Sequence, residues 1–61
     1  MYTDTEQAYG DWTLDVFQDR DGQWNCDWWH RMKPHLRGTV VRQRRKDAIS
    51  EAKRAIDAMQ V

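Results

Sequence analysis

Hydrophobic and polar residues alternate along two stretches in the first half of the chain, residues 12–18 and 23–30. A period of two over this length is typical of strands with one buried face. The segment between them ends in Asp21-Gly22, and Asp-Gly between alternating stretches is a strong signal for a β-hairpin. The side chains expected on its buried face are Trp12, Leu14, Val16, Trp24, Cys26 and Trp28.

The pairing of the two strands follows from the need to match their apolar faces. A two-residue loop of Asp21 and Gly22 would place Val16 opposite Asp27, so that apolar side chains would face acidic ones. A three-residue loop of residues 20–22 instead places Val16 opposite Cys26, and it is a known geometry in which Gly22 has a positive φ. The sequence therefore predicts this loop and the further pairs Leu14–Trp28, Gln18–Trp24, Phe17–Asn25, Asp15–Asp27 and Thr13–Trp29.

Two further elements are predicted in the second half of the chain. Residues 39–43 are rich in β-branched side chains and predict a short edge strand. We expect Val41 to point to the core there, because the opposite choice would bury two arginines. Residues from about 45 to 60 predict a C-terminal helix, since apolar residues recur at three- and four-residue steps. The helical side chains expected in the core are Ile49, Ala52, Ile56 and Met59.

These elements predict an α+β fold, a small antiparallel sheet of two or three strands with one C-terminal helix packed on one face. Residues 1–10 show no clear period and are expected to form a flexible N-terminal arm. Residues 11–61 are expected to form a single β-β-β-α domain. A loop over residues 31–38, marked by Pro34 and Gly38, separates the hairpin from the edge strand.

Composition limits the cellular setting. The chain has 61 residues and one cysteine, Cys26, so an internal disulfide cannot form, and a single thiol fits a reducing compartment. No segment approaches the roughly 20 apolar residues that span a bilayer, and the N-terminal segment lacks the features of a signal peptide. We therefore expect a cytoplasmic protein.

Charge is distributed unevenly although the net charge is zero. Residues 1–27 carry seven acidic groups and one basic group, a net of −6, whereas residues 28–61 carry nine basic and three acidic groups, a net of +6. Such segregation is typical of a polar partner-binding surface, although attraction between the two halves during folding would explain it equally well.

Two groups of side chains are candidates for partner binding. The predicted register leaves Phe17 and Trp29 on the sheet face away from the helix, where aromatic rings can anchor a protein interface or stack on bases. Alternatively, Tyr2 or Tyr9 of the arm would cover them. The basic candidates, whose guanidinium and ammonium groups suit anionic partners, are Arg37, Arg42, Arg44, Arg45 and Lys46.

The facing carboxylates Asp15 and Asp27 form an acidic site on the same predicted face. Like charges directly opposite each other destabilise a sheet mildly, so this face is expected to be hydrated or to receive a cationic partner. Catalysis is not expected, because these carboxylates lie on an open face and no nucleophile–histidine–acid set or glycine-rich phosphate loop is present. Cys26, His30 and His35 lack a standard zinc spacing, so we expect neither a metal nor another cofactor.

The hairpin pattern W-x-L-x-V…D-G-x-W and the helix pattern D-A-I-x-E-A-K-x-A-I-D resemble those of small bacterial and phage sheet-plus-helix proteins. The arrangement is also similar to that of AP2-type DNA-binding domains. Neither resemblance carries a diagnostic functional motif, so no residue roles follow from it.

We expect first a small non-catalytic accessory or inhibitor that binds a protein through an aromatic and basic sheet face and a charge-segregated surface. Its size class is that of phage-encoded antagonists such as anti-CRISPR proteins. The alternative is a nucleic-acid-binding domain that uses residues 37–46 and the outer aromatic residues, although a sequence pI of about 6.7 is low for that class. A third expectation is a homodimer that forms through the edge strand or through the open sheet face.

Overall fold

The computed structural model describes the backbone of residues 2–59 and the side chains of residues 6–59, and within this range four strands precede one helix. The elements are β1 (Tyr2–Tyr9), β2 (Trp12–Gln18), β3 (Trp24–His30), β4 (Arg37–Arg42) and α1 (Arg45–Met59). The strands form one antiparallel sheet in the order β1-β2-β3-β4, and α1 packs against one side of it. The predicted α+β fold is confirmed, with one more strand than expected.

Strand β1 corrects the prediction of a flexible arm. Residues 2–9 pair with β2 through the register Tyr9–Trp12, and a β-bulge interrupts this pairing between Thr3 and Glu6. Gly10 and Asp11 form the two-residue connection, in which Gly10 adopts a φ of 62°. Glycine at the first central position of such a loop is typical of a type II′ hairpin turn. Met1 of the predicted arm lies outside the described residues.

The β2–β3 hairpin has the predicted register in all six pairs, including Val16–Cys26 and Leu14–Trp28. Its loop is the predicted three-residue loop, closed by a hydrogen bond of 2.9 Å from the Asp19 N–H to the Gln23 carbonyl. Gly22 has a φ of 81°, a conformation that L side chains rarely adopt. Matching the apolar faces was therefore sufficient to define this hairpin.

The Asp19 side chain organises the same loop. Its carboxylate accepts hydrogen bonds from the backbone N–H of Asp21 at 2.9 Å and of Gln23 at 3.0 Å, and from the side-chain amide of Asn25 at 3.0 Å. The pKa of Asp19 is held below its ordinary value of 3.8, chiefly by the hydrogen bond from Asn25. The charged form of Asp19 thus stabilises the turn.

The core lies between α1 and the face of the sheet that we call the inner face. Leu14, Val16 and Cys26 are fully buried there, and Trp12 and Trp28 retain 5% and 6% exposure. The helix contributes Ala48, Ala52 and Ile56, whose small or compact side chains let α1 lie close to the sheet. Trp24 and Ile49 pack at the margin of this core, as does Leu36 from the β3–β4 loop. Met59 was predicted in the core but is 40% exposed.

The orientation of β4 differs from the prediction. Val40 pairs with Cys26 and packs against the core, whereas Val41 points to the other face and is 40% exposed. Arg42 consequently lies on the inner side, but it is not buried, because its guanidinium reaches Glu51 of α1 at 3.7 Å and stays 45% exposed. The expected cost of burying arginine is thereby avoided.

Gly38 is required by close packing rather than by its backbone conformation. It pairs with Trp28 across the β3–β4 ladder, and the indole ring lies against its Cα. A Cβ atom at this position would lie 2.8 Å from Cε2 and Cη2 of Trp28 and closer still to Cζ2. The absence of a side chain at Gly38 therefore creates the space in which Trp28 is buried.

Candidate functional site

The sheet face away from α1, which we call the outer face, is defined by the alternation of side chains along each strand. Neither a helix nor a strand of residues 2–59 packs against this face, because α1 packs against the inner face. Side chains from three or four strands lie side by side across it. The outer-face residues of the described side chains are Glu6, Ala8, Thr13, Asp15, Phe17, Asn25, Asp27, Trp29, Arg37, Thr39 and Val41.

Three carboxylates form a continuous row across the middle of the outer face. Glu6 pairs with Asp15, and Asp15 pairs with Asp27, so the acidic positions are adjacent on three successive strands. We call these three residues the acidic row. The row ends on β4 at Thr39, whose hydroxyl donates a 2.8 Å hydrogen bond to an Asp27 carboxylate oxygen. Each of these carboxylates faces a like charge, an arrangement that opposes folding.

Apolar side chains flank the acidic row on both sides. Phe17 and Trp29 are half-buried on the outer face, as predicted, and the exposed Val41 lies beside Asn25 on the Phe17 side. Tyr9 does not cover them, because it packs on the inner side and donates a 2.9 Å hydrogen bond to Asp57 of α1. Tyr2 is the other residue that was expected to cover them, and its side chain lies outside the part of the chain whose side chains the structure describes. The outer face therefore combines a central acidic row with apolar flanks.

The predicted basic residues do not surround this face. Only Arg37 of that group lies on it, opposite Trp29. Arg42 is turned to the helix side, where it contacts Glu51 and donates to the Val41 carbonyl at 2.7 Å. The remaining three continue from the end of β4 into the first turn of α1: Arg44, Arg45 and Lys46. The expectation of an aromatic and basic sheet face is thus corrected to an aromatic and acidic one.

Two open depressions adjoin the sheet. One, of about 430 Å³, lies where β3 and β4 run side by side and is lined by Asp27, Trp28, Trp29, Arg37, Gly38 and Thr39. The indole N–H of Trp28 is buried without a hydrogen-bond acceptor among the described residues. The other, of about 440 Å³, lies beside the start of β2 and the end of β3. It is lined by Gly10, Asp11, Trp12, His30, Lys33, Leu36 and Met59.

Cys26 and the two histidines have separate structural environments. Cys26 is fully buried, and burial together with Asp27 and Asp15 raises the pKa of its thiol to about 11. The Nδ1 atom of His30 accepts the backbone N–H groups of Met32 and Lys33, both at 3.1 Å, while its ring packs edge-on against Trp12. Within the described residues, no group of three or more His, Cys, Asp or Glu side chains is placed to hold a metal ion.

Sequence reasoning missed Glu6 and Thr39 as members of this face. Glu6 was assigned to the arm. The turn residues Gly10-Asp11 lie between Tyr9 and Trp12, and this signal could have identified β1 as a strand paired with β2. The prediction that Val41 points to the core implied the same for Thr39, two residues earlier in the strand. The corrected orientation of β4 puts both on the outer face.

Comparison with known proteins adds no relative. No family model, curated protein or solved structure matched this chain. No helix in residues 2–59 is long and apolar enough to cross a membrane. The candidate site therefore depends on the geometry described above.

Proposed function

We propose that this chain is a small non-catalytic, protein-binding accessory or inhibitor that acts in the cytoplasm and engages a basic protein surface through its outer face. The observation that supports this most directly is the acidic row of Glu6, Asp15 and Asp27 on a face that no described helix or strand covers. The size class is that of phage-encoded antagonists, including anti-CRISPR proteins.

The energetic reason concerns the like charges of the row. Adjacent carboxylates on neighbouring strands lower stability by a few tenths of a kcal/mol per pair. Among the described side chains, Thr39 of the neighbouring strand donates a hydrogen bond to Asp27. Lysine or arginine side chains of a partner would reverse this repulsion. Complementary charge of this kind gives specificity and rapid association more than raw affinity.

The apolar flanks would contribute the remaining contact area. Phe17 and Trp29 are half-buried in the free chain and Val41 is exposed. Aromatic anchors are typical of the central part of protein interfaces. The guanidinium or ammonium groups of a partner can also contact the face of Trp29 through cation–π interactions.

A nucleic-acid partner is the alternative proposal, and it would use residues 37–46 together with the aromatic residues of the outer face, Phe17 and Trp29. The same acidic row argues against phosphate binding there, because three carboxylates on the face are accompanied by one arginine, Arg37. Phosphate contacts by basic side chains dominate the affinity of nucleic-acid binders. We therefore rank protein binding first.

The test measures binding of a fluorescent arginine decapeptide by anisotropy at low salt. Asp15→Asn is expected to weaken binding about two- to fivefold, the effect of roughly 0.4–1 kcal/mol for a partly exposed charge pair. Asp21→Asn is the matched control, since Asp21 is an exposed acid in the hairpin loop, away from the outer face. It should change affinity by less than about 1.5-fold, because only the net charge is altered.

Two outcomes would contradict the proposal. Equal effects of Asp15→Asn and Asp21→Asn would show that binding depends on net charge rather than on the acidic row. Tight binding of a labelled DNA duplex that is lost in Arg44→Glu would instead support the nucleic-acid alternative.

A further inference from the structure

The free edge of β4 presents a regular series of backbone groups. The His30 N–H donates to the Leu36 carbonyl at 2.9 Å, which fixes the phase of the β3–β4 ladder. Hydrogen-bonded pairs alternate in an antiparallel ladder, so Gly38, Val40 and Arg42 bond to β3. The residues between them have backbone N–H and C=O groups that point away from the sheet. These residues are Arg37, Thr39 and Val41.

The two edges of the sheet differ in how they are protected. The β1 edge carries a bulge between Thr3 and Glu6, a device that prevents pairing with another chain. β4 pairs with β3 without any register shift and contains neither proline nor lysine. The only side-chain cap found on its outward groups, among the described residues, is the Arg42 guanidinium on the Val41 carbonyl. β4 is therefore the edge open to another strand.

The sequence of β4 is complementary to itself when two copies run antiparallel about Thr39. Each Gly38 then lies opposite Val40 of the other copy, so the side chain missing on one strand is compensated by a branched one on its neighbour. Each Arg37 lies opposite Val41, which keeps the two Arg37 side chains about 13 Å apart along the strands. In this arrangement the Val41 carbonyl accepts a hydrogen bond from the backbone N–H of Arg37 in the second copy, in place of the one from the Arg42 guanidinium.

We propose that two copies of this chain associate through their β4 edges, antiparallel and centred on Thr39, to form one continuous eight-stranded sheet. Three facing pairs would exchange about six backbone hydrogen bonds. Because the contact involves one short strand from each copy, association is weak and depends on concentration. The inference does not rest on the proposed binding of a basic partner.

The first test measures the molar mass at several protein concentrations, using light scattering coupled to size-exclusion chromatography. The average mass should rise from the 7.4 kDa of the chain towards twice that value between about 10 µM and 1 mM. Thr39→Pro should abolish the rise, because it removes an outward N–H without removing a β3–β4 hydrogen bond. Thr39→Val is the control: it loses the hydroxyl bonded to Asp27 but keeps the N–H, and it should still associate.

A second test examines the register and does not depend on the folding of the proline variant. Thr39→Cys places two thiols on a facing pair with Cα atoms about 5.5 Å apart, within disulfide range. Val41→Cys separates them by four residue steps, about 13 Å. Mild oxidation should cross-link the first variant at least tenfold more than the second, while the buried Cys26 stays unreacted in both.

The results that would overturn the proposal are specific. They are a constant 7.4 kDa mass up to 1 mM, a dimer that persists in Thr39→Pro, and equal cross-linking of the two cysteine variants. Pairing of the β4 edge with an extended peptide of unrelated sequence, without a dimer, would also overturn it.

Discussion

Replacing Gly38 by alanine should test how Trp28 is buried. The added Cβ would lie 2.8 Å from Cε2 and Cη2 of the indole, whereas carbon atoms at optimal separation are about 3.5–4.0 Å apart. Trp28 is only 6% exposed and is held between α1 and the sheet, so the ring has little freedom to move away. Either the indole or the β4 backbone must shift by about 1 Å.

The expected loss of stability can be estimated from two opposing effects. Overpacking in a well-packed core costs about 1–3 kcal/mol, and a clash with a rigid ring belongs at the upper end. Replacing glycine by alanine restricts the unfolded chain and returns about 0.4–1 kcal/mol. The net loss is about 2 kcal/mol, a large part of the roughly 3–9 kcal/mol expected for a chain of this size.

The assay is urea unfolding followed by tryptophan fluorescence at low micromolar concentration, where self-association contributes little. With a slope near 1 kcal/mol per M, the midpoint for Gly38→Ala should fall by about 2 M. Trp28→Phe provides a matched background, because the smaller ring leaves room for the Cβ. In that background the same substitution should cost at least 1 kcal/mol less.

The reasoning is refuted if Gly38→Ala is as stable as the parent chain, or if it costs the same amount in both backgrounds. Either result would mean that the indole does not lie against Gly38.

Three further predictions concern charge and ionisation. Asp15→Asn should raise the free energy of unfolding by about 0.2–1 kcal/mol in urea titrations, because it relieves repulsion in the acidic row; a loss of stability would contradict that repulsion. The Cys26 thiol, whose pKa is raised from 9.0 to about 11, should resist thiol reagents at pH 8. Since the folded chain keeps its thiol proton while the unfolded chain loses it, stability should fall by about 2 kcal/mol between pH 9 and 11. A Cys26→Ala chain that shows the same fall would exclude Cys26 as the cause. The lowered pKa of Asp19 implies a contribution to stability that is present above pH 4 and is lost as pH falls through that pKa. The free energy of unfolding of Asp19→Ala should therefore decrease less between neutral and acid pH than that of the parent chain. An equal decrease in both chains would count against the role of Asp19 in the turn.

The hairpin could be predicted in detail because its apolar faces allow one register. The apolar side chains of both strands must lie on the same sheet face, and a shift of one residue would turn those of one strand to the other face. The structure confirms every predicted pair between β2 and β3. The helix was predictable for a similar reason, since its apolar stripe has a single face, and the structure places it at Arg45–Met59.

The two edge strands were harder to predict because their patterns are weaker. Residues 3–7 of β1 are polar at every position, so periodicity alone does not distinguish this strand from an arm. In β4, Val40 and Val41 are adjacent, and the choice between them was made from the assumption that Arg42 must avoid the inner side. A long arginine at the margin of the core can reach Glu51 and solvent, which removed the basis for that assumption.

These edge corrections changed the candidate site more than they changed the fold. Phe17, Trp29, Asp15 and Asp27 are on the predicted face, whereas the basic residues expected around them are largely elsewhere. Adding Glu6 extends the facing pair of carboxylates to a row of three.

The most direct measurement is an amide-resolved nuclear magnetic resonance titration with the arginine decapeptide. The account predicts that amide shifts concentrate on the outer-face residues of β1, β2 and β3 around Asp15 and Asp27, with α1 unchanged and the shifts reduced in Asp15→Asn. Shifts confined to residues 42–46 or to α1, with the outer face unchanged, would contradict it.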